Sequence, residues 1–285
     1  MPTPTTVFGG AEIDCFEITS ERTSQQLRIT VSPGAPGTPT LYVLDPLFLF
    51  DLAVGTRSLL AVGARLTGGG FQAPTIVGVG YPTDEPAEVF ALRARDLTPT
   101  SSGGHLPIDL PPLAFGGAEA FLDALIAEVI PAVDAALPAA GQPRFLVGFS
   151  FRGLFGLYCL FHRPNTFAGY LLGSPSLWWD NGLAFTWEQN WSREHDDLAA
   201  RVFLFVGANE HPRGGAVWMN ERLPPPVLEH LQQIDNLDKM VTRLASRDYA
   251  SLYLDSVVLE GEFHLTAPAA ALGRAMLSLI EGAAT

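Results

Sequence analysis

The feature that most constrains the fold is an alternation of short apolar runs with helix-like segments from residue 40 to the C-terminus. Near-continuous apolar runs of this length are typical of strands buried on both faces. Alternation of such strands with helices predicts βαβ units, and so an α/β fold with a mostly parallel sheet and helices on both faces. The predicted strands are TLYVLDP (40–46), APTIVGVGYP (73–82), RFLVGF (144–149), AGYLLGSPS (168–176), RVFLFVGANE (201–210) and SLYLDSVVLEG (251–261).

The remaining segments are interpreted as follows. Residues 11–40 predict two strands followed by a turn-rich connection that is rich in glycine and proline. Loops are expected over 83–117 and in the Trp-rich segment after residue 176, and Pro131 is expected to kink the second helix. No repeat or linker divides the chain, so a single domain over 1–285 is expected. Helices are predicted at 49–66, 118–137, 153–161, 236–246 and 267–282.

Composition excludes several classes of protein. The 285 residues are 47% hydrophobic and 16% charged, which is typical of a globular chain. No apolar run reaches the roughly 18 residues of a membrane span, and the N-terminus lacks a signal-peptide pattern, so we expect no membrane association and a cytoplasmic location. The net charge of −13 and the absence of a Lys/Arg cluster argue against nucleic acid and anionic membranes as partners.

The cysteines do not indicate a disulfide framework or a metal site. There are two, Cys15 and Cys159, and Cys159 lies in the apolar helical segment GLFGLYCLF. Such a cysteine is usually a small core residue. Because Cys/His spacing of the metal-binding kind is absent, no metal is expected.

The segment RFLVGFSFRGLFG (144–156) places a serine between two glycines where a buried strand becomes a helix. This is the setting of a nucleophile elbow, in which a tight turn lifts Ser150 above the edge of the sheet. Close backbone approach explains Gly148 and Gly153, and the N–H of Phe151 would donate to an oxyanion. The general pattern has a small residue two positions after the serine, whereas this chain has Arg152.

A serine nucleophile needs a base, and His264 is the favoured candidate. It follows the last predicted strand and precedes the last helix, where a loop can carry it over the serine. Among the other histidines, His195 lies in a charged run and His230 in a helical segment. His211 directly follows Glu210, where it could contact a substrate.

The acid that orients the base should follow a strand between the serine and the histidine. Glu210 does so, directly after RVFLFVGANE. Asp235 and Asp238 remain rivals because the segment before the next strand is long, although a helix start there would explain them as capping residues.

Several motifs occur together in order, namely LYVLDP, RARDLTPT, GFSFRGLFGLY, GSPSLWWDN, VGANE and LEGEFHLTAP. From about residue 10 to the C-terminus the chain resembles the esterase branch of the α/β-hydrolases. That branch includes the enterobactin and salmochelin trilactone esterases, esterase D-like enzymes and mycolyltransferases, and the resemblance is strongest to the siderophore-esterase group. It implies an α/β-hydrolase fold and a serine esterase that cleaves a small-molecule carboxylic ester, such as a lactone or siderophore-like ester, through an acyl-enzyme without a cofactor.

The resemblance also implies site residues. Ser150 would be the nucleophile, His264 the base and Glu210 the acid, with an oxyanion hole from Phe151 N–H and the loop after LYVLD. Members usually have Asp-Gly where this chain has Asp-Pro at 45–46. Because proline has no N–H, Leu47 is then expected to supply the second donor.

Four residues are expected to bind substrate. Arg152 replaces a glycine of the family, and we expect it to face the mouth of the site and attract acidic acyl groups, since burial of an unpaired guanidinium is costly. A structural ion pair with Glu210 or Asp180 is the alternative. Arg93 matches the arginine that lines the family site, unless it pairs with Asp96 or a nearby glutamate.

Trp178 and Trp179 could form an aromatic wall for a ring-bearing acyl group, and the alternative is that they are core residues.

Two other functions stay open at this point. One is acyl transfer to an alcohol instead of water. The other is a binding protein in which Arg152 and Pro46 have abolished catalysis. The natural substrate and the oligomeric state are not determined by the sequence.

Overall fold

The computed structural model describes residues 5–6, 12–101, 113–137, 141–211 and 225–281. Their strands form one nine-stranded sheet in the order β1-β2-β3-β5-β4-β6-β7-β8-β9. β1 to β3 and the β3–β5 pair are antiparallel, and every pairing from β5 through β4 to β9 is parallel. The strands are β1 Thr5–Thr6, β2 Glu12–Ser20, β3 Gln25–Ser32, β4 Thr40–Leu44, β5 Thr75–Gly80, β6 Arg144–Phe149, β7 Gly169–Gly173, β8 Ala200–Gly207 and β9 Leu252–Leu259.

Helices cover both faces of the sheet, as predicted. α1 and α9 pack against one face in an apolar cluster that includes Phe50, Leu272 and Met276. The helices between β5 and β9 contribute to the larger cluster on the other face. The helices are α1 Pro46–Thr67, α2 Pro86–Asp96, α3 Ala118–Ala124, α4 Ile130–Ala136, α5 Phe151–His162, α6 Trp179–Glu194, α7 Pro225–Leu231, α8 Gln233–Ala245 and α9 Ala267–Glu281.

The register of the parallel strands brings several loops to one edge of the sheet. Val43 of β4 pairs with Val147 of β6, and Phe149 at the end of β6 pairs with Gly173 of β7. β8 and β9 continue in the same direction. The segments that follow β4, β6, β7, β8 and β9 therefore meet at the carboxyl ends of the strands, where ligands bind in open α/β sheets.

Two helices lie where loops were expected, and both predictions were wrong. α2 occupies part of the predicted 83–117 loop. It has Pro86 at its first position, Glu88 in its first turn and two arginines in its last turn, which are helix-boundary signals. α6 occupies the Trp-rich segment, but Asp180 to Gly182 adopt left-handed conformations that interrupt it after its first residue.

The helix changes type just before Pro131, where a kink was expected, and the kink itself stays a prediction. A π-helical turn, Leu125–Val129, separates α3 from α4, and Pro131 stands at the start of α4. Proline has no N–H and its ring crowds the preceding turn, so a wider turn accommodates it within a continuous helix.

The single-domain interpretation of the whole chain stays a prediction.

Cys159 is buried in α5, which confirms its assignment to the core, and burial raises the pKa of its thiol. Cys15 is exposed. Both cysteines are free thiols. Among the described residues, no helix combines the length and the apolar character needed to cross a membrane.

Candidate active site

Ser150 occupies the sharp turn between β6 and α5. Its backbone has φ 61° and ψ −120°, a conformation that non-glycine residues rarely adopt. The turn is tied to the segment after β7: Ser150 N–H donates to Gly173 O at 2.9 Å, and Ser150 O accepts from Ser176 N–H at 3.2 Å. Strained turns of this kind persist where the surroundings hold them, and they concentrate at functional sites.

The glycines on either side of the serine allow close backbone packing. A Cβ at Gly148 would lie 2.3 Å from Arg152 O, and one at Gly153 would lie 3.0 Å from Pro175 Cα. The first distance is impossible without a backbone shift. The structure thus confirms the predicted reason for glycine on both sides of Ser150.

His264 and Glu210 meet at the same edge of the sheet. His264 lies in the loop after β9 and Glu210 in the loop after β8. His264 Nδ1 and Glu210 Oε2 are 2.7 Å apart. The other carboxylate oxygen, Oε1, accepts from Ser174 Oγ at 2.6 Å and from Gly207 N–H at 2.8 Å. The predicted contact between Glu210 and His264 is therefore present.

These contacts keep Glu210 ionised. Burial acts to raise its pKa, but the charge of His264 and hydrogen bonds from His264, Ser174 and Gly207 outweigh burial, so the pKa of Glu210 is lowered. A carboxylate only accepts hydrogen bonds. Nδ1 of His264 must then carry the proton, which leaves Nε2 to exchange protons with a reacting group.

The rival acids lie elsewhere. Asp235 and Asp238 are exposed residues of α8, and Asp235 is in its first turn. The ring of His264 packs on Phe149, the residue before the serine, with 4.4 Å between ring centroids. Glu210 is therefore the carboxylate that orients the histidine beside the elbow.

Two other histidines pack against tryptophan rings. His195 stacks on Trp191 with 3.7 Å between ring centroids, and it precedes β8 at the opposite edge of the sheet. His230 in α7 lies 5.8 Å from the ring of Trp178. A substrate contact by His211 stays a prediction.

The two expected oxyanion donors begin neighbouring helices. Phe151 is the first residue of α5, and Leu47 is the second residue of α1, which starts at Pro46. N–H groups in a first helical turn have no partner within the helix and favour negative charge. Because β4 and β6 are adjacent, both helix starts lie at the same edge of the sheet. Their donation to one oxyanion stays a prediction.

Arg152 does not face the mouth of the site, and this prediction was wrong. Its side chain is 4% exposed, and Nη1 lies 3.0 Å from Oδ2 of Asp45. Nε donates to Phe149 O at 3.0 Å. The buried carboxylate and carbonyl offset the cost of burying the guanidinium. Burial lowers the pKa of Arg152 to about 10, with Asp45 acting to raise it and Arg93 to lower it further.

Arg93 also pairs with Asp45, not with Asp96 as the alternative had it. Arg93 Nη1 lies 3.3 Å from Asp45 Oδ2, and the guanidinium lies over the ring of Phe90. Asp96 pairs with Arg95 at 2.6 Å. Asp45 therefore holds two guanidinium groups at the edge of the sheet, while a role for Arg93 in substrate binding stays a prediction.

The two tryptophans do not form an exposed wall. Trp179 is fully buried, and its Nε1 donates to Thr100 Oγ1 at 3.0 Å, so it is a core residue and the prediction of a wall was wrong for it. Trp178 is also nearly buried and packs against Phe151 with 6.2 Å between ring centroids. Contact of Trp178 with a substrate stays a prediction.

The chain is similar to known proteins in both sequence and fold. A family model described as "Putative esterase" matches residues 20–257. The chain belongs to the putative esterase family. It is 30% identical over 256 residues to a siderophore triacetylfusarinine C esterase of Aspergillus fumigatus, an alignment that covers 85% of this chain and 82% of the relative. The ferri-bacillibactin esterase BesA of Bacillus subtilis is 29% identical over 60% of each chain.

Solved structures of other proteins have the same fold. The BES protein from Bacillus cereus superposes with a TM-score of 0.77 at 26% identity, covering 98% of each chain. The siderophore hydrolase EstA from Aspergillus nidulans has a TM-score of 0.83 at 22% identity, covering 98% of this chain and 97% of its own. The α/β-hydrolase fold is thereby confirmed. The chain is a serine ester hydrolase, and neither acyl transfer nor loss of catalysis is favoured.

The sequence did not single out two residues that lie at this edge of the sheet. Ser174 bonds the acid, and Asp45 holds the two arginines. Position was the available signal, since each directly follows a buried parallel strand. In the part of the chain that the structure describes, no three His, Cys, Asp or Glu side chains are grouped to hold a metal.

Proposed function

We propose that Ser150, His264 and Glu210 form a catalytic triad that hydrolyses an ester through an acyl-enzyme. The observation that carries this proposal is the 2.7 Å contact between His264 Nδ1 and Glu210 Oε2, at the edge of the sheet that also carries the strained serine turn. The chain order Ser, acid, His is the order of triads on this fold.

The reaction follows from the groups present. His264 Nε2 takes the proton of Ser150 Oγ while Oγ attacks the ester carbonyl carbon. The resulting oxyanion accepts hydrogen bonds from the N–H groups of Phe151 and Leu47. His264 then gives its proton to the leaving alcohol. Water, deprotonated by the same nitrogen, releases the acid and restores the serine.

Glu210 remains a carboxylate throughout this cycle. Its lowered pKa lets it stabilise the imidazolium that forms when His264 takes the proton. Its second oxygen is held by Ser174 and Gly207, so the carboxylate cannot rotate away from the ring without losing two hydrogen bonds.

The substrate we propose is a siderophore ester, with a lactone as the specific form. Support comes from the names of the relatives, which are esterases of triacetylfusarinine C and ferri-bacillibactin. No cofactor takes part in the proposed steps. The cytoplasmic location expected from the sequence stays a prediction.

Substitution of the nucleophile tests the triad. Ser150→Ala should lower kcat by roughly 10⁴-fold or more, because loss of a triad nucleophile removes the covalent route. The measurement is hydrolysis of a p-nitrophenyl ester, together with labelling by a fluorophosphonate. Ser192→Ala, in α6 away from the site, is the control and should keep both. A folded Ser150→Ala protein with near wild-type turnover would refute the triad.

A substrate panel tests the proposed ester class. We expect a cyclic siderophore ester to be cleaved with a higher kcat/KM than p-nitrophenyl esters of increasing acyl size. Equal values for simple esters and the siderophore lactone would leave the triad intact and overturn the substrate assignment.

A further inference from the structure

The two expected oxyanion donors lie on separate segments of the chain. Leu47 follows β4 at the start of α1, and Phe151 follows β6 at the start of α5. An oxyanion hole needs both N–H groups at fixed positions, because donors act only within about 2.7–3.1 Å of the developing charge. Something must therefore fix the distance between these two segments.

Arg152 joins them. Its Nε donates to the carbonyl of Phe149, the residue directly before the serine, at 3.0 Å. Its Nη1 donates to Asp45 Oδ2 at 3.0 Å and to Asp45 O at 3.4 Å. One planar guanidinium thus spans the ends of β6 and β4, with both partners buried.

The backbone is strained at Asp45, which Arg152 contacts. Asp45 has φ 49° and ψ 75°, a left-handed conformation, and it precedes a proline. For a non-glycine residue this conformation is unfavourable, because Cβ lies too close to the following carbonyl oxygen. Asp45 N–H donates to Val79 O at 2.9 Å, and the Pro46 ring fills the space above Gly78 and Gly80, where added Cβ atoms would lie 2.7 and 2.5 Å from it.

This conformation directs the chain into α1. The bonds from Arg152 to the carbonyl and carboxylate of Asp45 act on the residue whose backbone sets the direction of Pro46 and Leu47. Without them, the left-handed turn would depend on its remaining contacts, among them the Val79 bond, the packing of Pro46 and the ion pair with Arg93.

We infer that Arg152, through Asp45, is a positioning residue that holds the Leu47 and Phe151 donors in register for the oxyanion. The inference rests on the proposed triad mechanism. It assigns Arg152 an effect on the transition state without contact with the substrate. Lysine could not replace it, since a single ammonium cannot reproduce the planar fork that bonds Phe149 O and Asp45 together.

Arg152→Met tests the inference, with Arg57→Met as a matched control. Arg57 is also buried and bonds backbone carbonyls, those of Ser32, Pro33 and Pro74, at the opposite edge of the sheet. Both variants should lower Tm. Only Arg152→Met should lower kcat, by about tenfold to a hundredfold, which is less than the ~10²–10³ for loss of a donor itself, with KM changed less than threefold.

A second readout separates positioning from simple destabilisation. Ser150 Oγ adds to the carbonyl carbon of a trifluoromethyl ketone and forms a tetrahedral oxyanion. The affinity of the ketone should therefore fall in parallel with kcat/KM in Arg152→Met and stay unchanged in Arg57→Met. If Arg152→Met does not fold, Arg152→Gln, which keeps an amide donor, is judged by the same criteria. Arg152→Lys should recover only part of the lost kcat.

Active sites are counted by fluorophosphonate labelling before rates are compared. Wild-type kcat and ketone affinity in a labelled, folded Arg152 variant would overturn the inference and leave the triad standing. Absence of label on wild-type Ser150 would instead refute the proposed function on which the inference rests.

Discussion

Two buried glutamates of this esterase have similar burial and opposite surroundings. Glu210 is 5% exposed and faces His264, Ser174 and Gly207 at the carboxyl edge of the sheet. Glu188, in α6, is fully buried and faces two arginines, Arg243 at 2.7 Å and Arg247 at 2.7 Å. One carboxylate is paired with a titratable ring and the other with permanent charges.

The difference indicates what each carboxylate can do. A guanidinium stays charged at any physiological pH, so Glu188 can only hold α6 to α8 and to the segment after α8 that carries Arg247. An imidazole can gain and lose a proton, so in the proposed mechanism Glu210 responds to that change during turnover. Burial and an ionic partner therefore do not identify a catalytic carboxylate. The chemistry of the partner does.

The two glutamates should differ most in their contribution to turnover. Glu210→Gln should lower kcat by roughly 10⁴-fold, because an amide can donate to Nδ1 and so favour the wrong tautomer of His264. The measurement is kcat per fluorophosphonate-titrated site. Asp238→Asn removes a charge from the exposed face of α8 and is the control, with an unchanged kcat. If kcat fell as much in Asp238→Asn as in Glu210→Gln, the acid of the triad would instead lie in α8.

The other glutamate should affect stability alone. Glu188→Gln leaves two arginines facing a neutral amide, and removal of one partner of a buried ion pair typically costs about 3–5 kcal/mol. Because both arginines are about one quarter to one third exposed and can reach water, we expect about 2–3 kcal/mol.

Denaturant unfolding measures this loss, and kcat per active site should stay at the wild-type value. Glu194→Gln, at an exposed position of the same helix, is the control and should change neither quantity. A large loss of kcat in folded Glu188→Gln would mean that burial of the charge, and not its partner, connects a glutamate to catalysis.

The sequence predicted the parts of the site that local patterns encode. The apolar strand before Ser150 and the glycines beside it report a local turn, and Glu210 and His264 each follow a strand, so parallel topology brings them to one edge. The partner of Arg152 could not be predicted in this way. Asp45 lies 107 residues away, and its role depends on the adjacency of β4 and β6.

Composition misled the prediction of α2 and of the aromatic residues. α2 is short and four of its 11 residues are charged, so apolar periodicity was too weak to reveal it, although its boundary residues were informative. Trp179 lies in the core because its indole N–H finds Thr100, a partner far along the chain. The side-chain roles that failed were those set by tertiary contacts.

Ser174 should contribute less to turnover than the Glu210 carboxylate that it contacts. Ser174→Ala removes one of the two donors to Oε1 and leaves the Gly207 N–H bond at 2.8 Å and the His264 contact in place. The carboxylate keeps its orientation with one restraint fewer. We expect kcat to fall by about three- to tenfold and stability by about 1.5 kcal/mol, the low end of the range for a hydrogen bond to a charged group.

The loss of stability in Ser174→Ala should depend on pH, and the direction of that dependence follows from the pKa of Glu210. The pKa of Glu210 is lowered in the folded protein, and the Ser174 bond is one of the causes. A group with a lowered folded pKa contributes stability above its unfolded pKa, and the contribution is lost as pH falls through the folded pKa. The difference in unfolding free energy between wild type and Ser174→Ala should therefore be full at pH 7 and shrink as the pH falls below about 4.5, the ordinary glutamate value. Urea unfolding at pH 7, 5 and below about 4 measures it. A difference that stays constant over this range would mean that the Ser174 hydroxyl stabilises the fold without acting on the charge of Glu210.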